Sequence, residues 1–314
     1  MKLSDFDFKL PNELIALRPA DPRSSSKLLV SSGDEVIDDH FLHFFNIIKY
    51  LKRGDRLVWN DTKVIPAKLS GQRIRYSDNG KTSANIGVNL LSMIKEGHWL
   101  ALAKPAKRVN VGETIHFGKD LNALVLEKSP DGLLLKFNMS EENFEKKLET
   151  LGKMPLPPYI ASQRLPDELD DNDYQTVFAK HSGSVAAPTA SLHFDNMILK
   201  QLIDCGIKIS KVTLHVGAGT FLPVKVNNIA DHKMHAEWGE VSDIAALEIA
   251  QTKSEGGRII PVGTTALRLI ETAARSGQIE AWSGDTDIFI TPGFKFNIAD
   301  GLITNFHLPK STLL

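Results

Sequence analysis

The feature that most limits how this chain can fold is a change of texture part-way along it. From about Lys68 to Phe137 the sequence breaks into short segments of alternating polarity, split by Gly, Asn and Asp. Gly87 to Ile94, Trp99 to Ala103, Thr114 to Phe117, Ala123 to Leu126 and Leu133 to Phe137 are such segments. Apolar residues at every second position fit strands with one buried face, and turn residues at this spacing predict a small β-barrel or sandwich. A helix follows over Glu141 to Leu151. On either side the pattern is different. Leu28 to Val30 is a short strand before the turn Ser31 to Asp34, His40 to Leu51 has helical spacing, and Arg56 to Asn60 is a strand. Beyond the β-rich stretch, helices over Asp195 to Asp204, Val241 to Lys253 and Ala266 to Arg275 alternate with strands over Ile207 to Val216 and Arg258 to Val262. Further short strands are predicted at Asp287 to Ile290 and Leu302 to Asn305. Strands alternating with helices favour a parallel sheet. The expected fold is therefore α/β, a mainly parallel open sheet or open barrel with helices, interrupted by an inserted all-β barrel. The expected division is a discontinuous α/β domain over 1–67 and 152–314, with the inserted barrel over 68–151.

Several function classes drop out. The single cysteine, Cys205, excludes a disulfide framework and a cysteine-based zinc site, and is expected as a small buried residue on a helix. Met1 to Leu10 mixes charged and apolar residues and lacks the apolar core of a signal peptide. No run of about 18 apolar residues is present, so no membrane span is expected. The formal net charge of −1 means that any nucleic-acid contact must come from local clusters of positive charge. The acidic run Asp167 to Asp173 is expected as a solvated loop rather than a metal site.

Three loops rich in Gly, Ser, Thr and His lie next to predicted strands. They are Ser184 to Phe194, Thr213 to Phe221 and Pro261 to Thr265. Open α/β sheets bind ligands at the carboxyl ends of their strands. Glycine there lets backbone approach a ligand, and free N–H groups at a helix start favour an anion such as a carboxylate. Arg268, one turn into the following helix, can add a charge-assisted pair. Each loop alone is a weak signal, since Gly217-Ala218-Gly219 is a common tight turn and Thr264-Thr265 a common helix cap. In Asp231 to Glu237, His232 and His235 would share a helical face, yet Glu237 is the only further ligand in sight, so no metal is expected.

Positive charge clusters at Lys52, Arg53, Arg56, Lys63, Lys68, Arg73 and Arg75, against Asp55 and Asp61 alone. Lys104, Lys107 and Arg108 form a second cluster. Such groups can neutralise phosphates, or they can be a solvated surface. Trp59, Tyr76 and Trp99 can stack on unpaired bases, with core packing as the default.

Specific strings run from end to end. They include Leu14-Ile15-Ala16, Arg23-Ser24, Lys27-Leu28-Leu29, Asn60 to Ala67, Met154 to Ile160 and Tyr174 to Phe178. Others are Ala186 to Ala190 with Leu192-His193-Phe194, Val212 to Phe221, His232 with Met234-His235 and Glu237, Pro261 to Thr265, and Thr304 to Pro309 with Ser311 to Leu314. Through these the chain resembles the S-adenosylmethionine:tRNA ribosyltransferase-isomerases, a family of queuosine-biosynthesis enzymes. The resemblance implies an α/β fold interrupted by a β-barrel. It implies S-adenosylmethionine as co-substrate, whose ribosyl part is transferred to 7-aminomethyl-7-deazaguanine at the wobble position of a tRNA anticodon stem-loop. The product is epoxyqueuosine, and adenine and methionine leave. No metal, a cytoplasmic location and a monomer are implied as well.

On that resemblance His193, His215, His235 and Glu237 are the expected acid or base residues. Thr264, Thr265 and Arg268 are expected to anchor the methionyl carboxylate, and Gly217 and Gly219 to allow close approach. Thr189, Thr220 and Gly263 complete the expected S-adenosylmethionine site. Arg23, Lys63, Lys68, Arg73, Lys104, Lys107 and Arg108 are the expected RNA contacts. Ser191 departs from the glycine usual in the family, and members usually continue past the position of Leu314. The rival readings are a tRNA-binding protein impaired in catalysis and an S-adenosylmethionine-dependent RNA methyltransferase.

Overall fold

The alternating segments close on themselves. In a computed structural model of the chain, which describes residues 1–33, 35–38, 42–78, 80–217, 224 and 226–313, β1 (Val30–Ser32) and β2 (Glu35–Asp38) pair as a hairpin. Next come β3 (Arg56–Asn60) and β4 (Thr62–Val64). Then β5 (Lys68–Ser77), β6 (Gly80–Lys95), β7 (His98–Lys104), β8 (Thr114–Phe117), β9 (Leu121–Ser129) and β10 (Gly132–Phe137) form a closed antiparallel barrel in the order β10-β7-β6-β5-β8-β9. Closure removes the unpaired edges that short strands would otherwise expose. Inward positions such as Leu69, Ile86, Val88, Ile115, Phe117, Leu121 and Leu135 are almost fully buried. Helix α1 (Glu141–Leu151) stoppers the barrel, setting Phe144 against Phe137 and Trp99 at 4.4 and 5.8 Å between ring centroids.

The chain leaves and re-enters the α/β part through a narrow neck. Lys68 N–H donates to Lys153 O and Lys153 N–H to Lys68 O, at 3.1 and 2.9 Å. Gly152 lies against the carbonyl of Pro66, and a β-carbon there would come 2.0 Å from Pro66 O.

After α1 come the short helices α2 (Pro158–Ala161) and α3 (Asp170–Asp173), β11 (His181–Ser184), α4 (Asn196–Asp204), β12 (Lys208–Leu214) and β13 (Glu237–Val241). The last elements are α5 (Asp243–Ser254), β14 (Ile259–Val262), α6 (Thr264–Ala273) and β15 (Trp282–Thr286). β11 runs parallel to β4. The main sheet has the order β14-β3-β12-β13-β15. β14 and β12 are parallel to β3, while β13 and β15 are antiparallel. Every residue of β3 is buried, as expected for a strand covered on both faces. Val58 points toward Ala246, Ile249, Leu269 and Ile270 of α5 and α6, and Leu57 and Trp59 toward Phe178, Phe194 and Leu202 on the other side.

The sheet is thus mixed, where the sequence pattern implied a mainly parallel one. The cause is β13: Glu237-Trp238-Gly239-Glu240-Val241 alternates buried and exposed, the signature of a half-solvated antiparallel strand. The helix expected from Val241 starts instead at Asp243, and Val241 closes β13. Residues 232–236, where a helix would set His232 and His235 on one face, are not helical and follow a 3₁₀ turn at Ile229–Asp231. No strand forms at 287–290, since β15 ends at Thr286, and the strand expected at 302–305 reduces to one bridge between Ile303 and Val262. Cys205 is exposed at the end of α4 rather than buried. The acidic run is no free loop either. Asp170, 1% exposed, accepts from Arg164 Nη1 at 2.9 Å and from its Nη2, and Asp173 accepts from Arg18 at 2.9 Å.

The neck predicts an intolerance to one methyl group. Gly152→Ala must push two backbone carbonyls apart, so it should lower stability by about 2 kcal/mol or more, as for other overpacked sites. Urea unfolding with an unchanged m value would measure it.

Candidate active site

β14, β3 and β12 run in the same direction and end side by side, with Val262 opposite Trp59 and Val212 opposite Asn60. The residues that follow β3 tie these ends together. Asn60 is fully buried, and its carboxamide donates to Leu214 O at 2.9 Å and Thr265 Oγ1 at 3.3 Å. Its oxygen accepts from Leu214 N–H at 3.0 Å and Thr62 N–H at 3.2 Å. Asp61, also buried, accepts from Thr213 Oγ1 at 2.7 Å and lies 3.7 Å from His181 Nε2. Thr62 Oγ1 bonds His215 Nδ1 at 2.8 Å and donates to His181 O at 3.4 Å. Three consecutive polar side chains thus reach three different segments of the site.

The three expected loops converge here. Ser184 Oγ accepts from Val216 N–H at 3.0 Å, which joins the first loop to the second. A β-carbon on Gly263 would lie 3.7 Å from Ala190 Cβ, which sets the third loop against the first. Gly263 needs its freedom, since φ is +90° where β14 turns into α6. Its N–H donates to Ile303 O at 2.8 Å, and Asn305, two residues on, meets His193. The barrel closes the far side: Leu91 O of β6 lies 3.7 Å from where a Gly217 β-carbon would be, and Val185 belongs to the barrel core.

His193 uses both ring nitrogens. With Asn305 Oδ1 at 3.0 Å, Nε2 carries the proton, and Nδ1 accepts from Ser26 Oγ at 2.9 Å. Burial pushes its pKa below the usual histidine range against the Asn305 hydrogen bond, and nearby Arg23 adds to the depression. His215 is held differently. Trp238 stacks on one face, with centroids 5.4 Å apart and planes 20° apart. Gly183, at a β-bulge with φ +142°, also packs against the ring, since a β-carbon there would come 3.0 Å from three ring atoms. Nδ1 is engaged by Thr62, and Nε2 has no hydrogen-bond partner among the described residues. Burial and then His181 lower the His215 pKa, with Asp61 opposing. The imidazole is therefore neutral near pH 7.

Glu237 and Arg268 satisfy each other. Glu237 is 5% and Arg268 6% exposed. Glu237 Oε2 accepts from Arg268 Nη1, and its Oε1 from Gly217 N–H at 2.9 Å. Arg268 also donates to Ile288 O at 3.0 Å. This guanidinium is committed within the fold instead of open to a carboxylate, and Glu237 is no unpaired base. It fixes the Gly217 turn. Thr264 is half-buried, Thr265 is held by Asn60, and α6 begins without a side-chain cap. Its first N–H groups are the anion-favouring feature of the site. Thr189 is half-buried at the start of a 3₁₀ turn, and His235 is exposed on the irregular stretch leading into β13. Gly219 and Thr220 lie outside the described residues. Ser191 is buried with a negative φ, since Lys310 is the one non-glycine of positive φ among the described residues. Its β-carbon is accommodated without strain.

Against this geometry the comparisons are decisive. The model of a family described as queuosine biosynthesis protein matches residues 3–314. The chain belongs to that family. It is 61% identical to the S-adenosylmethionine:tRNA ribosyltransferase-isomerase of Ruegeria pomeroyi, over 100% of this chain and 89% of the relative. A relative of the same name from Mesorhizobium japonicum is 51% identical, over 100% and 88%. The crystal structure of S-adenosylmethionine tRNA ribosyltransferase from Thermotoga maritima superposes with a TM-score of 0.50 at 31% identity, covering 98% of this chain and 86% of that one.

The family's expected RNA contacts scatter in this structure. Arg73 is 5% exposed and donates to Arg108 O at 3.0 Å, so it is part of the barrel wall. Arg23 donates to the carbonyls of Gln175 and Asn172, both at 2.7 Å. Arg56 is buried against Thr252, Ser210 and Glu248, and Arg75 pairs with Glu113. The stripe from Lys52 to Arg75 is therefore not one basic surface. Lys68, Lys104, Lys107 and Arg108 are exposed, and Lys63 lies 3.9 Å from Glu149. Trp59 and Trp99 are core residues, whereas Tyr76 is exposed. Asp61, Thr62, His181, Gly183 and Trp238 were not anticipated at the site. Asn60-Asp61-Thr62 carried a signal, because three polar residues closing an apolar strand demand buried partners.

Removing one partner of the buried pair should be costly. Arg268→Met leaves Glu237 charged and unpaired and is expected to lose about 3–5 kcal/mol. Adding Glu237→Gln should recover most of that in a thermal unfolding series.

Proposed function

We propose that this chain transfers and isomerises the ribosyl moiety of S-adenosylmethionine onto 7-aminomethyl-7-deazaguanine at the tRNA wobble position. The product is epoxyqueuosine in tRNA, with adenine and methionine released. The observation that carries this reading is the match to the family along the whole chain, joined to the convergence of its polar loops at three parallel strand ends. Residues 1–67 and 152–314 would act as one discontinuous catalytic domain, with 68–151 as the inserted barrel. The reading carries with it a cytoplasmic location and a monomer.

The chemistry assigns tasks to the side chains. A sulfonium acidifies the adjoining ribose CH₂, and a base removes that proton on the way to adenine departure. The tRNA amine then attacks the opened sugar, and a sugar oxygen displaces methionine to close the epoxide. A general base must be unprotonated at working pH and within reach of the reacting carbon. Of the four acid–base residues expected, His215 has a neutral ring with one nitrogen lacking a partner among the described residues, and His235 is exposed. His193 and Glu237 are engaged on both of their polar atoms, and so hold loops in place. The first turn of α6, with Thr264, suits the methionyl carboxylate, and Gly217 and Gly263 leave room for substrate. Among the described residues no group of three or more His, Cys, Asp or Glu side chains is arranged to hold a metal ion. No step above calls on one.

For the tRNA, Lys104, Lys107 and Arg108 are the favoured contacts, with Lys63 and Lys68 toward the neck. Lys104 pairs with Gly87 on β6, and Leu91 of the same strand touches Gly217. Four residues of strand span about 13 Å, a distance that an anticodon loop bridges easily.

Incubation with S-adenosylmethionine and an anticodon stem-loop carrying 7-aminomethyl-7-deazaguanine tests the reading. Stoichiometric adenine and methionine are expected. S-adenosylhomocysteine would point to methyl transfer, and binding without turnover to an impaired RNA-binding protein. A base with a depressed pKa stays competent as pH falls, so the acidic limb of kcat should lie below about pH 6.5. His181 and Asp61 are the ionisable groups beside it. Replacing Lys104, Lys107 and Arg108 together by Ala should reduce the slope of log Kd against log salt by about 3, with KM for S-adenosylmethionine unchanged.

A further inference from the structure

We infer that Thr62 is the positioning residue that selects the tautomer of His215, so that Nε2 is presented as the base that takes the ribose proton. The inference rests on the proposed reaction and adds to it a specific atom and the group that prepares it.

The argument begins with how little freedom the ring has. Trp238 stacks on it, Gly183 packs close to three of its atoms, and the His215 backbone N–H donates to Trp238 O at 3.0 Å. Thr62 is fully buried and follows Asn60 and Asp61 after β3, where four hydrogen bonds to the Asn60 side chain and one to the Asp61 side chain fix the backbone. Its hydroxyl has one proton. His181 O, at 3.4 Å, can only accept. We assign that proton to the carbonyl, which turns the hydroxyl lone pairs to the imidazole at 2.8 Å and gives Nδ1 the ring hydrogen. The neutral ring has one N–H, so Nε2 keeps its lone pair. The histidine peptide carbonyl thereby orients a threonine, and the threonine orients a second histidine.

The contrast with His193 sharpens the assignment. There Asn305 takes the Nε2 proton and Ser26 fills Nδ1, so no lone pair is left over. At His215 one nitrogen is satisfied within the fold, and the other has no partner among the described residues. In the proton transfer the Nε2 lone pair forms an N–H bond. The ribose C–H bond breaks, and its electron pair stays on the carbon beside the positive sulfur. Charge is conserved, since a neutral imidazole becomes cationic as the sulfonium becomes a neutral ylide. His181 and Asp61 then face the new cation, and the Asp61 carboxylate lies 3.7 Å from His181 Nε2.

Two measurements on the full chain test this. The first is ¹⁵N NMR of the imidazoles in the free protein, which needs no turnover. The His215 resonances should show a protonated Nδ1 and an unprotonated Nε2. In Thr62→Val they should shift toward a tautomer mixture, and in Thr62→Ser they should stay. A protonated Nε2 in the unaltered protein would overturn the inference. The second is adenine release. Thr62→Val should lower kcat on the order of 10–100-fold, part of what a general base supplies. KM for S-adenosylmethionine should stay put, and Thr62→Ser should return kcat to within about threefold. On a His215→Ala background Thr62→Val should cost nothing more, as for two residues acting as a unit. Additive losses, or a Thr62→Val enzyme of normal kcat, would refute it. Gly183→Ala crowds the same ring, its β-carbon coming 3.0 Å from three ring atoms, and provides a second variant. An unaltered protein that shows the expected tautomer yet releases no adenine would sink the proposed reaction instead.

Discussion

The site depends on one buried carboxamide. Asn60 uses both of its amide hydrogens and both lone-pair positions on Leu214, Thr62 and Thr265. Those partners belong to the end of β12, the start of β4 and the first turn of α6. A hydrogen bond made in a dry interior adds about 1 kcal/mol, but an orphaned buried group costs about 1–3 kcal/mol. The four contacts therefore specify one arrangement of strand ends more than they add net stability. Once Asn60 is in place, Asp61 and Thr62 can point only toward Thr213, His181 and His215. Positioning of the histidine is a consequence of backbone already fixed by its neighbour.

The second layer of support is charge. Glu237 and Arg268 lie in the interior, where an unpaired charge is too costly to keep. Each is tolerated because the other is there, together with Gly217 N–H and the carbonyl of Ile288. The pair links the Gly217 turn, β13 and α6 across the sheet. The barrel completes the enclosure. Its core runs into Val185 and its strand β6 reaches Gly217, so the β-rich insertion is packed on the site and is no remote appendage.

Much of this was legible in the chain. β3, β8 and α1 fall where local pattern predicted them, and α4 begins at its expected cap, Asp195, whose side chain accepts from Ile198 N–H at 2.9 Å. Apolar periodicity and capping chemistry act over a few residues, so they survive without tertiary context. β13 was missed because Glu237 and Gly239 are poor strand formers in isolation. One is buried only by virtue of Arg268, and the other lies against Leu269. The basic stretch misled for a related reason. Charge along a sequence does not say which guanidinium the fold consumes, and Arg56, Arg73 and Arg268 were all consumed.

Sequence alone determined that a β-rich stretch separates two portions of α/β pattern, that three polar loops border strands, and that the strings along the chain resemble one family. These follow from local rules of period, turn chemistry and motif. Tertiary structure alone decided the roles within the loops. Equivalent-looking histidines became different because Asn305 and Ser26 lie 112 and 167 residues from His193, while Thr62 lies 153 residues from His215. A side chain's proton state is set by the atoms that surround it, and no local pattern encodes contacts over such distances.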